Sequence, residues 1–171
     1  MKQYKGKQNQ KDTCRQSIAL IQQGSIRYCT SACLCGIPCR YDGRANTVEI
    51  LKKAYEKGQV LPLCPEVLGG LSTPRAPAEI KGAGSKIKVY NSENCDVTVA
   101  FVKGAEIALQ KAAAWGEKIV VLKSKSPSCG LGVIYDGTFT GTLVSGNGVA
   151  AQAFLDAGYC VLTEKDLVDS I

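Results

Sequence analysis

Apolar positions along the chain follow two rhythms. Short apolar runs over 26–30, 59–63, 118–123 and 159–162 read as strands, and the continuous run at 118–123 suits a strand buried on both faces of a parallel sheet. Between these runs the apolar residues recur at helical spacing. Val48, Leu51 and Tyr55 form one stripe, where Asn46 can cap the helix, Glu49 can answer it and Gly58 can end it. Phe101, Ala105, Ala108, Ala112 and Trp115 repeat at four, three, four and three, which predicts the longest helix over 96–116. A helix over 149–157 stopped by Gly158, and a terminal helix capped by Thr163 with Asp166, complete the pattern.

Three further stretches are less regular. Residues 86–90 resemble a strand, and 133–139 around Asp136-Gly137 suit a small hairpin. Residues 72–84, with Pro74, Pro77 and two glycines, read as a loop or flap. Strands alternating with helices predict an α/β fold with a single doubly wound, mostly parallel sheet in a Rossmann-like three-layer arrangement. Residues 26–171 form one domain in this reading. Residues 1–25 form a polar, basic N-terminal tail with a short helix near 17–22.

Composition changes this picture little. The 171 residues are 45% hydrophobic and 21% charged, and no apolar run approaches the roughly 18–20 residues of a membrane span. The N-terminus has no apolar core of a signal peptide, so the expected location is cytoplasmic. The net charge of +6 would suggest nucleic acid if it were concentrated on the fold. Residues 1–15 alone carry +4, which leaves the remainder nearly balanced. Nucleic acid is therefore not an expected partner.

Cysteine changes it a great deal. The chain has nine cysteines and no histidine. Without imidazole, mixed Cys/His zinc sites, Cys–His nucleophiles and Ser–His–Asp triads are all excluded. An odd number of thiols in a reducing compartment argues against a disulfide framework. Soft thiolates alone favour zinc or iron–sulfur. Cys33, Cys64 and Cys129 each follow a predicted strand directly or within a few residues. In an open parallel sheet such loops gather at the carboxyl edge, where ligands bind. Gly36, Gly69, Gly70 and Gly130 lie beside them, and Pro65 and Pro127 stiffen two of the loops. Inert buried thiols remain the alternative on spacing alone. Cys95 and Cys160 read as packing residues, Cys14 falls in the tail, and Cys29, Cys35 and Cys39 flank Cys33.

Taken together, three motifs resemble a known family. Ser31-Ala32-Cys33-Leu34-x-Gly36 with Arg40-Tyr41-Asp42-Gly43 is the first, and Cys64-Pro65-Glu66-Val67-x-Gly69-Gly70 with Pro74-Arg75 is the second. Ser126-Pro127-Ser128-Cys129-Gly130 is the third. In this order they resemble the bacterial domain-of-unknown-function 523 family, whose characterised branch is the thiouracil desulfidases. The resemblance implies a [4Fe-4S] cluster held by three cysteines, here Cys33, Cys64 and Cys129, with one iron left open. It implies hydrolytic removal of sulfur from 2-thiouracil or a related small thiocarbonyl compound, with release of hydrogen sulfide. Glu66 and Ser128 then fall on the catalytic positions, as a general base and as a hydrogen-bond donor or proton relay. Ser31, Arg40, Tyr41, Asp42 and Arg75 are candidates for the substrate pocket. Implied partners are the thiolated substrate and cluster-assembly or sulfide-accepting proteins, around a monomer or homodimer. Cys29, Cys35 and Cys39 stand outside the family pattern.

Two other readings remain. A non-enzymatic cysteine module for zinc or an iron–sulfur cluster would call for a closed set of four thiolates. A phosphate- or nucleotide-binding protein would use Ser145-Gly146-Asn147-Gly148 at a helix N-terminus, although no P-loop or dinucleotide fingerprint accompanies it.

Overall fold

A computed structural model describes residues 14–82 and 87–168. Its centre is a parallel sheet of four strands, β1 (Tyr28–Ser31), β2 (Val60–Leu63), β5 (Ile119–Leu122) and β8 (Cys160–Thr163), in the order β2-β1-β5-β8. The chain steps from β1 outward to β2, then returns to the other side of β1 as β5. The strand order therefore reverses between β1 and β5, and a crevice opens at the carboxyl ends of those two strands. Ser31 pairs with Leu63 and Thr30 with Val121, so the three strands end at a common level.

Alternation along the strands separates two cores. Tyr28, Val121, Cys160 and Leu162 face one side, against helix α1 (14–22), α2 (Glu49–Glu56) and α6 (Glu164–Val168) through Ile21, Leu51, Ala54 and Leu167. Cys29, Val120, Leu122 and Val161 face the other, against α4 (Thr98–Trp115) and α5 (Val149–Asp156) through Ala108, Ala112, Ala151 and Phe154. The outcome is the three-layer α/β arrangement expected from the sequence. Thr163 and Asp166 cap α6 as predicted, the carboxylate accepting from the Thr163 amide at 2.6 Å and from its hydroxyl at 2.8 Å.

Several expectations change. Residues 72–84 are not all loop: β3 (Ala78–Lys81) pairs antiparallel with β4 (Lys88–Asn91), because Glu79 and Ile80 turn inward beyond the two prolines. The predicted hairpin is longer than 133–139 and runs through β6 (Val133–Tyr135) and β7 (Leu143–Ser145). Asn46 does not cap α2, whose N-cap is Val48 without a side-chain bond; its amide oxygen accepts from Arg40 instead. The expected tail also meets a difference. The short helix expected near 17–22 is present over 14–22, but it belongs to the fold: Ile21 is only 2% exposed, and Gln22 Nε2 donates to the Leu167 carbonyl at 3.0 Å. Cys14 on this helix is disulfide-bonded to Cys160 on β8, where two unlinked thiols had been expected. Residues 1–13, with Lys2, Lys5, Lys7 and Lys11, lie outside the described residues.

Helix α3 (Pro65–Leu68) is a single turn and cannot hold itself in place alone. It is fixed by backbone contact with α4. A Cβ added at Gly104 would collide with the Pro65 carbonyl oxygen, and one at Gly69 with the Ala100 carbonyl oxygen. Gly104→Ala is therefore expected to destabilise the fold by about 1–3 kcal/mol or more, since helix backbones must part to admit the methyl. For a chain of this size that is a fall of roughly 2–4 °C in Tm per kcal/mol. An unchanged melting temperature would mean that α3 and α4 do not meet backbone to backbone.

Candidate functional site

The crevice is a cavity of about 560 Å³, walled by the loops after β1, β2 and β5 and roofed by residues of the two hairpins. Cys33, Cys64 and Cys129 all line it. The three loops predicted to converge do so.

Cys33 sits in a 3-10 turn (Ala32–Cys35) directly after β1. Gly36 ends that turn at φ +90°, a conformation that residues with a Cβ rarely adopt. The Cys33 carbonyl is held by the Asn46 amide at 2.9 Å, so the loop folds back over the strand end. Ser31 ties β1 to β5, its hydroxyl accepting from the Lys123 amide at 2.9 Å. Cys64 is the N-cap residue of α3 with Pro65 at the first helical position, where a missing amide costs nothing. Glu66 follows in the first turn and faces the cavity.

Cys129 ends a tightly knit loop. The Ser126 hydroxyl accepts from the amides of Ser128 and Cys129, each at 3.1 Å, and the Ser126 carbonyl accepts from Gly130 at 2.7 Å. The carbonyls of Pro127 and Ser128 accept from the amides of Val149, Ala150 and Ala151 at the start of α5. Those amides are therefore already engaged. The phosphate-binding reading of Ser145-Gly146-Asn147-Gly148 loses its donors to the cysteine loop.

The predicted pocket residues separate into two groups. Ser31, Arg40, Tyr41 and Arg75 line the cavity. Asp42 stands behind it and clamps Arg40 through both oxygens, at 3.1 and 3.0 Å. Burial works against that carboxylate, yet hydrogen bonds from Arg44 and then Arg40 bring its pKa to about 2. Arg75 is the knot of the site. It donates to Glu66 Oε2 through Nε at 2.7 Å and lies 2.6 Å from it through Nη2. Both terminal nitrogens reach the Cys39 carbonyl at 3.2 Å, and the Arg75 amide donates to the Tyr41 carbonyl at 2.8 Å. One guanidinium thus fixes Glu66 against the loop that carries the first motif.

Ser128 is placed otherwise than expected. It is 1% exposed, does not line the cavity, and its hydroxyl has no nitrogen or oxygen partner. Its neighbour is the Cys129 sulfur, whose thiolate form it favours together with Ser31.

Several cavity residues were not singled out by the sequence. Lys123 lies on the wall and pairs with Glu164 at 2.7 Å, while Ser124 binds the same carboxylate through its amide and hydroxyl. Their place at the carboxyl end of a predicted strand was the available signal. Glu79 is buried on the opposite wall, and its Oε2 accepts from the amides of Gly137 and Phe139 at 2.9 and 3.0 Å. It fastens one hairpin to the other and sets Tyr135 and Phe139 at the mouth. Pairing between two irregular segments gives no periodic signal. Cys39 is the fourth cysteine on the wall.

The thiols suit a soft metal group. Burial pushes the Cys129 thiol up to about 12, and hydrogen bonding with Cys39 pushes the Cys64 thiol well above the ordinary range. Thiol donors without imidazole are the ligands that soft metals and iron–sulfur clusters take. Among the described residues, no three Cys, Asp or Glu side chains converge as ligands of a single metal ion. Cys33, Cys39, Cys64 and Cys129 line one cavity, and four soft sulfur donors suit an iron–sulfur group.

A model of the 2-thiouracil desulfurase family matches residues 28–166. The chain is 42% identical over 145 residues to the uncharacterized protein YbbK of Bacillus subtilis (strain 168), covering 81% of this chain and 96% of that one. Among solved structures it is similar to the [4Fe-4S]-dependent thiouracil desulfidase TudS, with a TM-score of 0.76 and 40% identity over 84% of this chain and 94% of that chain. That match and the three converging cysteine loops agree with the family model, and the chain belongs to the 2-thiouracil desulfurase family.

Proposed function

We propose that the protein is an iron–sulfur-dependent desulfidase that hydrolyses the thiocarbonyl group of a 2-thiouracil-like base or another small thiocarbonyl compound. The observation that carries this reading is the meeting of Cys33, Cys64 and Cys129 on one cavity wall with Glu66, which Arg75 holds in place. Cys33, Cys64 and Cys129 would hold a [4Fe-4S] cluster, which would supply an open, thiophilic iron for the substrate sulfur.

The remaining work falls to side chains. Glu66 faces the cavity as a carboxylate paired with Arg75 and takes a proton from the attacking water. Arg75 keeps that carboxylate oriented. Arg40 and Tyr41 bound the space beside Cys39, and Tyr135 and Phe139 offer flat faces to a planar heterocycle. The Ser128 hydroxyl supports the Cys129 sulfur from behind the wall. The C=S bond breaks and a C=O bond forms from water, both water protons end on sulfide, and no electrons are transferred.

Cys39 on the same wall favours a second reading, a closed four-thiolate metal module without catalysis. One experiment separates the two. Anaerobic reconstitution with iron and sulfide is expected to give about four of each per chain. Incubation with 2-thiouracil in ¹⁸O-water should then release sulfide and place ¹⁸O in the uracil. A cluster-loaded protein that releases no sulfide from any thiocarbonyl compound, or a protein that takes only zinc, would establish the module instead.

A further inference from the structure

The chain has two cysteines near Cys33 that are plainly interior. Cys29 is on the sheet face behind the site, Cys35 packs in the opposite core, and neither lines the cavity. Cys39 differs from both. It is 8% exposed and lines the cavity between the first and second motifs. It shares that cavity with Cys33, Cys64 and Cys129. Its carbonyl accepts from the Cys64 thiol at 3.7 Å and from both terminal nitrogens of Arg75 at 3.2 Å. The same guanidinium holds Glu66. Cys39 is therefore fixed among the proposed ligands and within reach of whatever they bind.

Resting on the desulfidase reading, we propose that Cys39 is a fourth, displaceable ligand of the cluster, binding the iron that Cys33, Cys64 and Cys129 leave open until a substrate sulfur replaces it. The exchange balances without redox chemistry. Cys39 loses its proton as its sulfur–iron bond forms. When the substrate sulfur binds, that bond breaks and Cys39 takes a proton back. A thiolate is a good enough ligand to retain the iron and a labile enough one to yield to another sulfur donor. An iron without a protein ligand is the one a cubane loses on oxidation, so a capping thiolate protects it between turnovers.

The test uses the reconstituted full-length chain and a Cys39→Ser variant. Iron and sulfide are counted first, and about four of each are expected in both. Both are then treated with ferricyanide and followed by low-temperature EPR and iron release. The variant is expected to lose about one iron per chain and show a three-iron signal, while the wild type keeps its iron. In parallel, iodoacetamide labelling read by peptide mass spectrometry should modify Cys39 in the loaded wild type only when 2-thiouracil is added. Equal iron loss from both proteins, or Cys39 labelling that does not depend on 2-thiouracil, would overturn the proposal and leave the desulfidase reading standing. A variant that assembles no cluster would overturn displaceability in favour of a permanent four-thiolate site. A wild-type chain that assembles none would remove the desulfidase reading itself.

Discussion

Substituting Cys129 by serine is expected to leave a folded protein that holds no cluster. The exchange keeps the size of the side chain, and the loop retains the Ser126 bonds to the amides of Ser128 and Cys129, since they involve backbone at position 129. What changes is the donor. Cys129 is 5% exposed and is the proposed ligand from the loop after β5, so its loss would remove a corner of the site that Cys33, Cys39 and Cys64 do not cover. A buried hydroxyl is harder than a thiol and gives up its proton less readily, and it ranks poorly for iron–sulfur clusters. Iron and acid-labile sulfide should fall from about four per chain to near zero, with far-UV circular dichroism unchanged. Full iron content in the variant would remove Cys129 from the ligand set. A Cys160→Ser variant serves as the control, because Cys160 lies away from the cavity and bonds to Cys14. It should load its cluster normally.

Glu66→Gln should have the opposite signature, with the cluster retained and turnover lost. The amide has nearly the same shape, and its oxygen can still accept from Arg75 Nε, so the α3 turn and Cys64 keep their positions. It cannot take a proton from water at neutral pH. General-base assistance contributes about 10²–10⁴-fold to rates, and kcat for sulfide release should fall within that range. The loss should appear in kcat more than in KM, because the carboxylate acts on water and not on the heterocycle. A variant that releases sulfide at the wild-type rate would assign the proton transfer to another group on the wall.

How much of this was legible depended on whether the signal was local. Parallel strands buried on both faces announce themselves as apolar runs, and topology then brings their following loops to one edge. Cys33, Cys64 and Cys129 could therefore be grouped across 31 and 65 residues without any spacing rule. Glu66 followed because it is two residues from Cys64. The roof could not be read in the same way. Pro74 and Pro77 signalled a loop correctly up to the point where β3 begins, and the Glu79 carboxylate meets partners 58 and 60 residues away. Asn46 had a plausible local role as a cap and was taken instead by Arg40, a tertiary partner. The first helix was legible over 17–22, but its place in the core was obscured by its polar composition. Its burial rests on few side chains, with Ile21 at the centre.

The contact between α3 and α4 sets a rule for where the chain tolerates changes in length. Gly104 meets the Pro65 carbonyl because it lies at one angular position on a helix that begins at Thr98. Each residue inserted or deleted between those points turns the rest of α4 by about 100° relative to its start. A single added residue would present a side chain to Pro65 in place of Gly104, and would push away the turn that carries Cys64 and Glu66. Relatives that keep this site should therefore keep the length between Thr98 and Gly104 unchanged, and Gly104 with it, although none of those residues lines the cavity.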